Sequence, residues 1–448
     1  MVPKNKIQMF VLANYLLMSF IVFASCNTAE PPIPPVNANL SLVQDEISCT
    51  EAWLKLKTEN LQLPANLNLL QDDNIKKTIT LSSKDTALYI DSLLPNKTYQ
   101  FQLVTNNNDI KSNKVAVTTL DTTDHNFTWQ TFTFGNYDNS VLYDVALIDE
   151  NNIWAVGEIY IEDSIGVVNR FNAIHWDGID WKLHKILFYT ICGQQSRTPY
   201  PAKSIYAFNE NEIWIAMDGD QIAKLENGVQ VNTICLPWSF SISKLWGSNS
   251  NDLYAVGDNG NIAYSNGSNW TKIESGTNDN LLDVMGTADG NTVWTCGYSG
   301  DYANTVLIRI KDGVAEKIYE GSSNEQSNGY YVGPMSGVWT DNAYRLFLMN
   351  AGGIYIQQIS NEFFLEKEIA RFTHGSYGID GTRSNNIFAC GDRFVGHWNG
   401  STYYEYTELY RQFGTYFSTN AKGNTVSVVG TDYSDGLNFK AIIVLGRK

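Results

Sequence analysis

The stretch NSNDLYAVGDNGNIAYSNGSNWTKI, residues 249–273, decides the fold. It contains three short runs in which apolar and polar residues alternate, the period-two pattern that predicts β-strands. Turn-forming residues separate these runs, DNG at 258–260 and NGSN at 266–269. The first question is whether this is a single hairpin or one copy of a repeat.

Seven copies of the segment align between residue 142 and the C-terminus. A repeat of about 40 residues indicates a β-propeller, because one four-stranded blade cannot bury both of its faces alone. The second strands share a position that is aromatic in six copies, and we predict that these residues fill the gaps between blades. The residues at this position are Trp154, Trp214, Tyr254, Trp294, Phe347, Phe388 and Ser427.

Turn dipeptides mark the connection between the third and fourth strands of five copies. They are Asp177-Gly178, Asn227-Gly228, Asn266-Gly267, Asp312-Gly313 and Asn399-Gly400. Such dipeptides favour the positive φ angles of a type I′ turn. The last copy has no fourth strand of its own, so we predict that Trp129 to Phe134 supplies it and closes the ring. Closure by both chain ends removes an open sheet edge.

The N-terminus has the pattern of an export signal. MVPKNK is followed by the apolar stretch IQMFVLANYLLMSFIVF and then by FASC. This resembles a bacterial lipoprotein signal peptide, which implies that residues 1–25 are removed and that Cys26 is lipidated. Phe23 stands where that family prefers leucine. The alternatives are an uncleaved membrane anchor and an ordinary secretory signal.

Residues 26–37 form a Pro-rich linker with four prolines, which is either a semi-rigid stalk or an unstructured spacer. Alternating runs such as AWLKLKT and YQFQLVT follow in residues 38–121. The stretch LLPNKTYQFQL resembles the fibronectin type III signature at Leu93, Pro95 and Tyr99. The resemblance implies a small β-sandwich in which the Tyr99 hydroxyl bonds an upstream backbone group. We expect an all-β chain, this sandwich followed by a seven-bladed propeller over 127–448.

Two pieces of the propeller, DGIDW at 177–181 and NGSNW at 266–270, resemble degenerate Asp-boxes of sialidase-type propellers. In that family the motif is structural and lies away from the active site. A sialidase also needs an arginine cluster and a tyrosine nucleophile with an acidic partner. The arginines of this chain are scattered, so we do not expect that activity.

Charge and cysteine content narrow the function further. There are 47 acidic and 31 basic residues, a net charge of −16 that disfavours nucleic-acid binding. The five histidines lack metal-ligand spacing, and no metal site or resident cofactor is expected. Cys296 and Cys390 are predicted to be buried thiols. Cys192 and Cys235 either form a disulfide or stay free, and Cys49 has no evident partner.

Strand order divides the propeller into two faces. First-to-second and third-to-fourth connections lie on one face, here called the tight-turn face. Second-to-third loops and the links between blades lie on the other, here called the loop-rich face, where binding is expected. The candidate ligand-binding residues on that face are Glu158, Tyr160, Asp163, Asp218, Asp258, Tyr302, Tyr330, Tyr331, Asp392 and Tyr433. Four of the acids, Glu158, Asp218, Asp258 and Asp392, are candidates for calcium or sugar hydroxyls; the alternative is that they are solvated turn residues.

The sequence therefore predicts an exported protein, lipid-anchored in the bacterial cell envelope at the outer membrane or cell surface. It contacts the membrane only through the lipid, and it binds a protein or a polysaccharide through the loop-rich face without catalysis. One alternative is a glycosidase-like carbohydrate-active enzyme that uses carboxylates of this face. The other is a structural scaffold subunit of an envelope assembly.

Overall fold

The computed structural model describes residues 37–107, 109–359, 363–434, 436 and 439–448. The predicted signal peptide, Cys26 and all but the last residue of the Pro-rich linker lie outside the described residues. Within them the chain is all-β, with two short 3₁₀ helices at Asp258–Gly260 and Thr407–Leu409. No helix in these ranges is long and apolar enough to span a membrane.

The first seven strands form two facing sheets, here called the sandwich. One sheet has the order β1-β2-β5 and the other β4-β3-β6-β7. Its strands are β1 (Asn39–Ile47), β2 (Ala52–Glu59), β3 (Ala65–Gln71), β4 (Asn74–Leu81), β5 (Asp85–Ile90), β6 (Thr98–Thr105) and β7 (Val115–Thr118). The buried Tyr99 hydroxyl accepts a hydrogen bond from the Leu94 amide at 2.9 Å, which confirms the bond predicted for this side chain.

Seven four-stranded antiparallel sheets, the blades of a propeller, follow in the described residues. The strand before them is β8 (Thr128–Phe134). Blade 1 contains β9 (Val141–Asp149), β10 (Asn152–Glu162), β11 (Val168–Trp176) and β12 (Trp181–His184). A link hairpin, β13 (Phe188–Tyr189) and β14 (Arg197–Thr198), leads to blade 2, which contains β15 (Ala202–Asn209), β16 (Glu212–Met217), β17 (Gln221–Glu226) and β18 (Val229–Cys235). Blade 3 contains β19 (Ile242–Asn249), β20 (Asp252–Gly257), β21 (Asn261–Ser265) and β22 (Trp270–Glu274).

Blade 4 contains β23 (Asn280–Gly286), β24 (Val293–Tyr298), β25 (Asn304–Lys311) and β26 (Val314–Ser322). A second link hairpin follows, β27 (Gln326–Ser327) and β28 (Tyr330–Tyr331). Blade 5 contains β29 (Met335–Trp339), β30 (Arg345–Asn350), β31 (Gly353–Gln358) and β32 (Leu365–Arg371). Blade 6 contains β33 (Ser376–Arg383), β34 (Asn386–Gly391), β35 (Val395–Trp398) and β36 (Tyr403–Glu405). Blade 7 contains β37 (Gly414–Lys422), β38 (Thr425–Asp432) and β39 (Lys440–Arg447), with β8 as its outer strand.

The two chain ends close the ring as predicted. Strand β8 pairs antiparallel with β39, from Thr128 opposite Arg447 to Phe134 opposite Ala441. The six aromatic residues of the second strands are buried, with exposures from 0% to 8%, and Ser427 is fully buried. The prediction that this position belongs to the core is therefore confirmed.

The predicted turns are of two kinds. Asn227-Gly228 and Asp312-Gly313 have positive φ at both residues, as a type I′ turn requires. At Asp177-Gly178, Asn266-Gly267 and Asn399-Gly400 only the glycine has positive φ. There the Asp or Asn side chain accepts backbone N–H groups two and three residues ahead. The side chain, rather than a tight dipeptide turn, holds these three hairpins together.

Two histidines at equivalent positions each stack on a second-strand aromatic ring and bond an asparagine, which confirms the prediction that they pack in the core. His175 stacks on Trp154 at 4.3 Å, and its Nε2 bonds Asn152 at 2.9 Å. His397 stacks on Phe388 at 4.5 Å, and its Nε2 bonds Asn386 at 2.9 Å. Burial lowers the pKa of His175 to about 4 and that of His397 to about 3.

The cysteines are resolved by the structure. Cys192 and Cys235 form a disulfide that ties the link between blades 1 and 2 to the end of β18. Cys49, Cys296 and Cys390 are buried free thiols. Burial raises the pKa of Cys390 to about 12, so this thiol stays protonated at neutral pH.

The sandwich packs on the tight-turn face of blades 5 and 6. Arg345, in blade 5, forms an ion pair with Glu51 and lies 5.4 Å from the ring of Trp53. Trp53 in turn stacks on Tyr344 at 5.6 Å. The segment between the two bodies is also fixed, because the Thr123 hydroxyl donates to the Asn385 carbonyl at 2.6 Å. This contact leaves the loop-rich face uncovered by the sandwich.

Polar side chains bridge the innermost strands of neighbouring blades. Asp144, 2% exposed, accepts hydrogen bonds from the Ile205 amide of blade 2 at 3.0 Å, from Lys244 of blade 3 at 2.7 Å and from Ser418 of blade 7 at 2.7 Å. In the same way, Asp283 accepts from the Val338 amide of blade 5 at 2.9 Å, and Asp380 accepts from the Ala421 amide of blade 7 at 2.8 Å. Four of the seven blades therefore meet at one carboxylate.

Replacing Asp144 with Asn is expected to destabilise the protein by about 3–5 kcal/mol, because the Lys244 ammonium loses its adjacent countercharge in the channel. The double variant D144N/K244M is expected to be more stable than D144N alone. Equilibrium unfolding in denaturant measures both. The single variant K244M completes the comparison. The coupling between Asp144 and Lys244 would be contradicted if the unfolding free-energy costs of D144N and of K244M added up to the cost of the double variant.

The histidine environments predict acid sensitivity. The pKa of His397 is lower in the folded protein than in the unfolded chain, so its stability contribution is complete above about pH 6.5 and is lost as pH falls toward 3. When the pH falls from 7 to 4, the unfolding free energy of the wild type should decrease by up to about 3 kcal/mol more than that of the variant His397→Gln. Denaturant titrations across this range measure the two slopes, and equal slopes would contradict the prediction.

Candidate functional site

The propeller channel opens on the loop-rich face through a ring of bulged residues. Near the start of each innermost strand one residue has no partner in the register with the second strand, and it is the equivalent residue in all seven blades. Four of these strands have a second unpaired residue near their other end, Ile148, Phe208, Ser248 and Thr382. A β-bulge bends its strand and redirects a side chain. The bulged residues are Tyr143, Lys203, Ser243, Leu282, Ser336, Tyr377 and Phe417.

All seven bulged residues line one cavity of about 200 Å³, here called the mouth. Innermost strands begin at the links between blades, so these early strand positions lie toward the loop-rich face. Tyr298, at the end of β24, also lines the mouth, and Asp144, Lys244 and Asp283 lie among its deeper residues. The fold therefore converges seven side chains on one small opening.

One side of the mouth is aromatic. Phe417 lies 5.9 Å from Tyr143 and 5.5 Å from Tyr377, measured between ring centroids, so the three rings form a continuous arc. Across the mouth, Tyr298 stacks on Tyr302 at 5.0 Å. Tyr302 is 60% exposed and Tyr377 is 38% exposed. These rings offer a ligand apolar faces together with hydroxyl groups.

Blades 1 and 2 add charge to the mouth. The Lys203 ammonium lies 3.9 Å from the centre of the Tyr143 ring, and burial lowers the pKa of this lysine. Glu158 accepts hydrogen bonds from the hydroxyls of Tyr143 at 3.2 Å and Tyr160 at 2.8 Å. Burial, followed by the bond to Glu158, raises the pKa of Tyr160 to about 12. Two of the predicted residues, Glu158 and Tyr160, thus adjoin the mouth through Tyr143.

The other three predicted acids of the rim make local hydrogen bonds. Asp218 accepts from the Ser241 hydroxyl, and Asp258 accepts from the Ser241 amide at 2.8 Å. Asp392 accepts from Thr415 at 2.8 Å. No group of three or more His, Cys, Asp or Glu residues suited to a metal occurs in the part of the chain that is described. These contacts favour the alternative that the acids are turn residues, and calcium binding stays a prediction.

The remaining predicted residues lie outside the mouth. Asp163 accepts the Val167 amide at 2.9 Å within its own loop. Tyr330 and Tyr331 belong to the second link hairpin, where Tyr330 packs against Tyr355 of blade 5 at 5.6 Å. Tyr433 lies 5.2 Å from Phe439 in blade 7. None of the predicted residues therefore lines the mouth itself; Glu158, Tyr160 and Tyr302 adjoin it, and the others make contacts in the surrounding loops.

Sequence reasoning missed the residues that form the mouth itself. Tyr143, Lys203, Tyr377 and Phe417 lie inside innermost strands, whereas the predicted residues lie in the loops and at the ends of second strands. A bulge adds one residue to a strand and leaves no distinct residue type behind. The available signal is the break in alternation just before an isolated polar residue, as at Tyr143-Asp144 in VLYDVALI.

The sequence matches no known protein family model. No curated protein is similar to it either. Solved structures are similar in fold. The WD40 β-propeller domain of Doa1 matches with a TM-score of 0.50 and 12% identity, over 72% of this chain and 98% of that one.

Two other structures match less closely. YCF48 bound to D1 peptide matches with a TM-score of 0.49 and 15% identity, over 73% of this chain and 98% of that one. A quinonprotein alcohol dehydrogenase-like protein from Bacteroides thetaiotaomicron matches with a TM-score of 0.39 and 13% identity, over 89% of this chain and 95% of that one. At such identities the likeness to the Doa1 domain concerns the fold alone, and the fold is a β-propeller.

Proposed function

We propose that this protein is a non-catalytic binding protein of the bacterial cell envelope and that the mouth on its loop-rich face binds an extended segment of a partner protein. The convergence of seven bulged residues on one aromatic-rimmed cavity carries this proposal. Bulges recur next to functional sites because they redirect side chains from a rigid sheet. A propeller fold also supports a binding or scaffold role in general.

The composition of the mouth favours binding over catalysis. Three of its lining residues are tyrosines, Tyr143, Tyr298 and Tyr377, and tyrosine is enriched where partner proteins gain most of their affinity. Two further exposed rings, Tyr410 and Phe413, lie in the link between blades 6 and 7, on the same face of the propeller. The carboxylates Glu158 and Asp392 are each engaged by neighbouring hydroxyls. A glycosidase would need two carboxyl groups placed on either side of a bound sugar.

The position of the sandwich supports presentation of this face away from a membrane. Strand β1 begins at Asn39 and runs toward the propeller, where Asp45 bonds the Tyr344 hydroxyl. Six residues of strand span about 20 Å, so the chain enters the sandwich at a distance from the propeller. The described chain thus begins on the side of the propeller opposite the loop-rich face. We also propose that the sandwich is a fibronectin type III-like domain, since its three-plus-four sheet order and its Tyr99 bond fit that resemblance.

Removing two rings of the mouth should abolish partner binding. A photo-crosslinking amino acid at position 302 is expected to capture a protein from bacterial envelopes, and the double variant Tyr298→Ala, Tyr377→Ala should reduce capture at least tenfold, since each lost aromatic contact costs about 1–2 kcal/mol. Crosslinked yield on gels measures this. Tyr404→Ala serves as control, because this tyrosine is 43% exposed on the outer strand of blade 6. Equal capture by the double variant, or no captured protein with the wild-type sequence elsewhere in the mouth, would contradict the proposal.

Lipidation is tested separately. Cys26→Ser should prevent incorporation of labelled palmitate and move the protein from the membrane fraction to the soluble fraction, because the thiol is the attachment site. Cys49→Ser is the matched control, since Cys49 is buried and bonds the Asp121 carbonyl at 3.2 Å. Membrane association that survives C26S would favour an uncleaved anchor.

A further inference from the structure

The channel contains a second cavity on the side of the tight-turn face. It measures about 230 Å³ and is here called the inner cavity. Three residues after each bulge, every innermost strand contributes one side chain to it. These residues are Ala146, Tyr206, Trp246, Met285, Trp339, Asp380 and Asn420. The inner cavity adjoins a wider opening of about 380 Å³, which Tyr206, Trp246, Met285 and Trp339 also line.

The inner cavity has two unlike walls. Blades 2 to 5 contribute Tyr206, Trp246, Met285 and Trp339, a continuous apolar and aromatic surface. Blades 6 and 7 contribute Asp380 and Asn420, whose side chains bond each other at 2.7 Å. A ligand in this space would face rings on one side and hydrogen-bonding groups on the other.

Two groups in the lining have unused hydrogen-bonding capacity. Trp339 is 2% exposed and Thr419 is 4% exposed, and both line the inner cavity. The indole Nε1 of Trp339 and the hydroxyl of Thr419 have no hydrogen-bond partner among the described residues. An unpaired buried polar group costs free energy until something bonds it. These two groups are independent of the carboxylates and belong to residues in the wall of the cavity.

The charges of the cavity select against ions of either sign. Asp283 and Asp380 disfavour an anion. The ammonium groups of Lys422 and of Lys244, which donates to Asp144 at 2.7 Å, disfavour a cation. The lining supplies acceptors on the two aspartates and donors on Lys244 and Trp339. A neutral molecule with several hydroxyls satisfies both kinds of group, and its apolar ring face can pack on tryptophan.

We propose that the inner cavity binds a neutral saccharide, with one sugar ring against the aromatic wall and its hydroxyls on Asp380 and its neighbours. The described part of the sandwich does not line this cavity or the wider opening, because its contacts lie at Tyr344, Arg345 and Asn385. The inner cavity adjoins the mouth and shares Lys244, Asp283, Ile379 and Thr419 with it, but the proposal does not depend on the function proposed for the mouth.

Calorimetry on the purified protein with glucose, galactose, mannose, N-acetylglucosamine, cellobiose and maltose tests the proposal, and tetramethylammonium serves as the cation probe. At least one of the sugars should bind with a millimolar or lower Kd and change tryptophan fluorescence. Asp380→Asn should weaken binding at least tenfold, because the variant loses the charged acceptor. Thr419→Val should weaken it about threefold and should not destabilise the protein, since the hydroxyl has no partner to lose.

Asp312→Asn is the matched control. It makes the same chemical change at an exposed type I′ turn, and it should leave sugar binding unaltered. If Asp380→Asn does not fold, as judged by its unfolding transition, the Thr419→Val result decides. The proposal is wrong if none of the sugars binds at about 10 mM, if tetramethylammonium binds instead, or if both folded variants bind like the wild type.

Discussion

The Asp144 carboxylate holds the propeller together at its centre. Apolar packing between blades seals the seams, but seven innermost strands cannot meet at the axis, so a channel remains where backbone and side-chain polar groups need partners. Asp144 bonds groups of blades 2, 3 and 7, and Asp283 and Asp380 bridge the next pairs. Each bridge fixes one innermost strand against the next along the channel axis. Burial raises the pKa of Asp283 and of Asp380 to about 6, which reflects the cost of placing these acids inside the ring.

The innermost strands are fixed at the same level along the channel axis, and this explains why equivalent residues of all seven blades line each cavity. Every innermost strand carries its bulge at the same level, so the bulged residue faces the mouth and the residue three positions later faces the inner cavity. The seven blades therefore present two rings of side chains whose positions are set by the fold and whose chemistry varies freely. Tyr143, Tyr377 and Phe417 make one ring aromatic on one side, while Tyr206, Trp246 and Trp339 do so on the opposite side in the other ring. The backbone positions repeat around the ring, but the residue types at these positions differ from blade to blade, and this difference creates the candidate sites.

The fold was largely predictable because its signals are local and repeated. Trp154 and its six equivalents, the closing strand at Trp129–Phe134 and the Tyr99 bond all follow from spacing or from short motifs. The site was not predictable from the sequence, because its geometry depends on strand register. The bulge at Tyr143 is a feature of strand pairing, and the hydrogen bond between the Ile205 amide and Asp144 joins residues that only the folded ring brings together. The turns at Asp177, Asn266 and Asn399 show the same limit, since the dipeptide predicts a turn but the side-chain bond decides its form. The contact of Trp53 with Tyr344, 291 positions apart, had no sequence signal.

The Asp144–Lys244 ion pair also lies at the level of the channel where the two cavities meet. A buried ion pair adds little net stability, since desolvating both charges offsets much of their attraction, so stability alone does not account for it. Lys244 and Asp283 line both cavities, and the pair therefore stands where the mouth and the inner cavity meet. Apolar residues at this level would leave the Ile205 amide and the Ser418 hydroxyl without an acceptor, whereas the carboxylate satisfies both. The propeller thus carries two adjoining cavities on one axis, one toward the loop-rich face and one toward the tight-turn face.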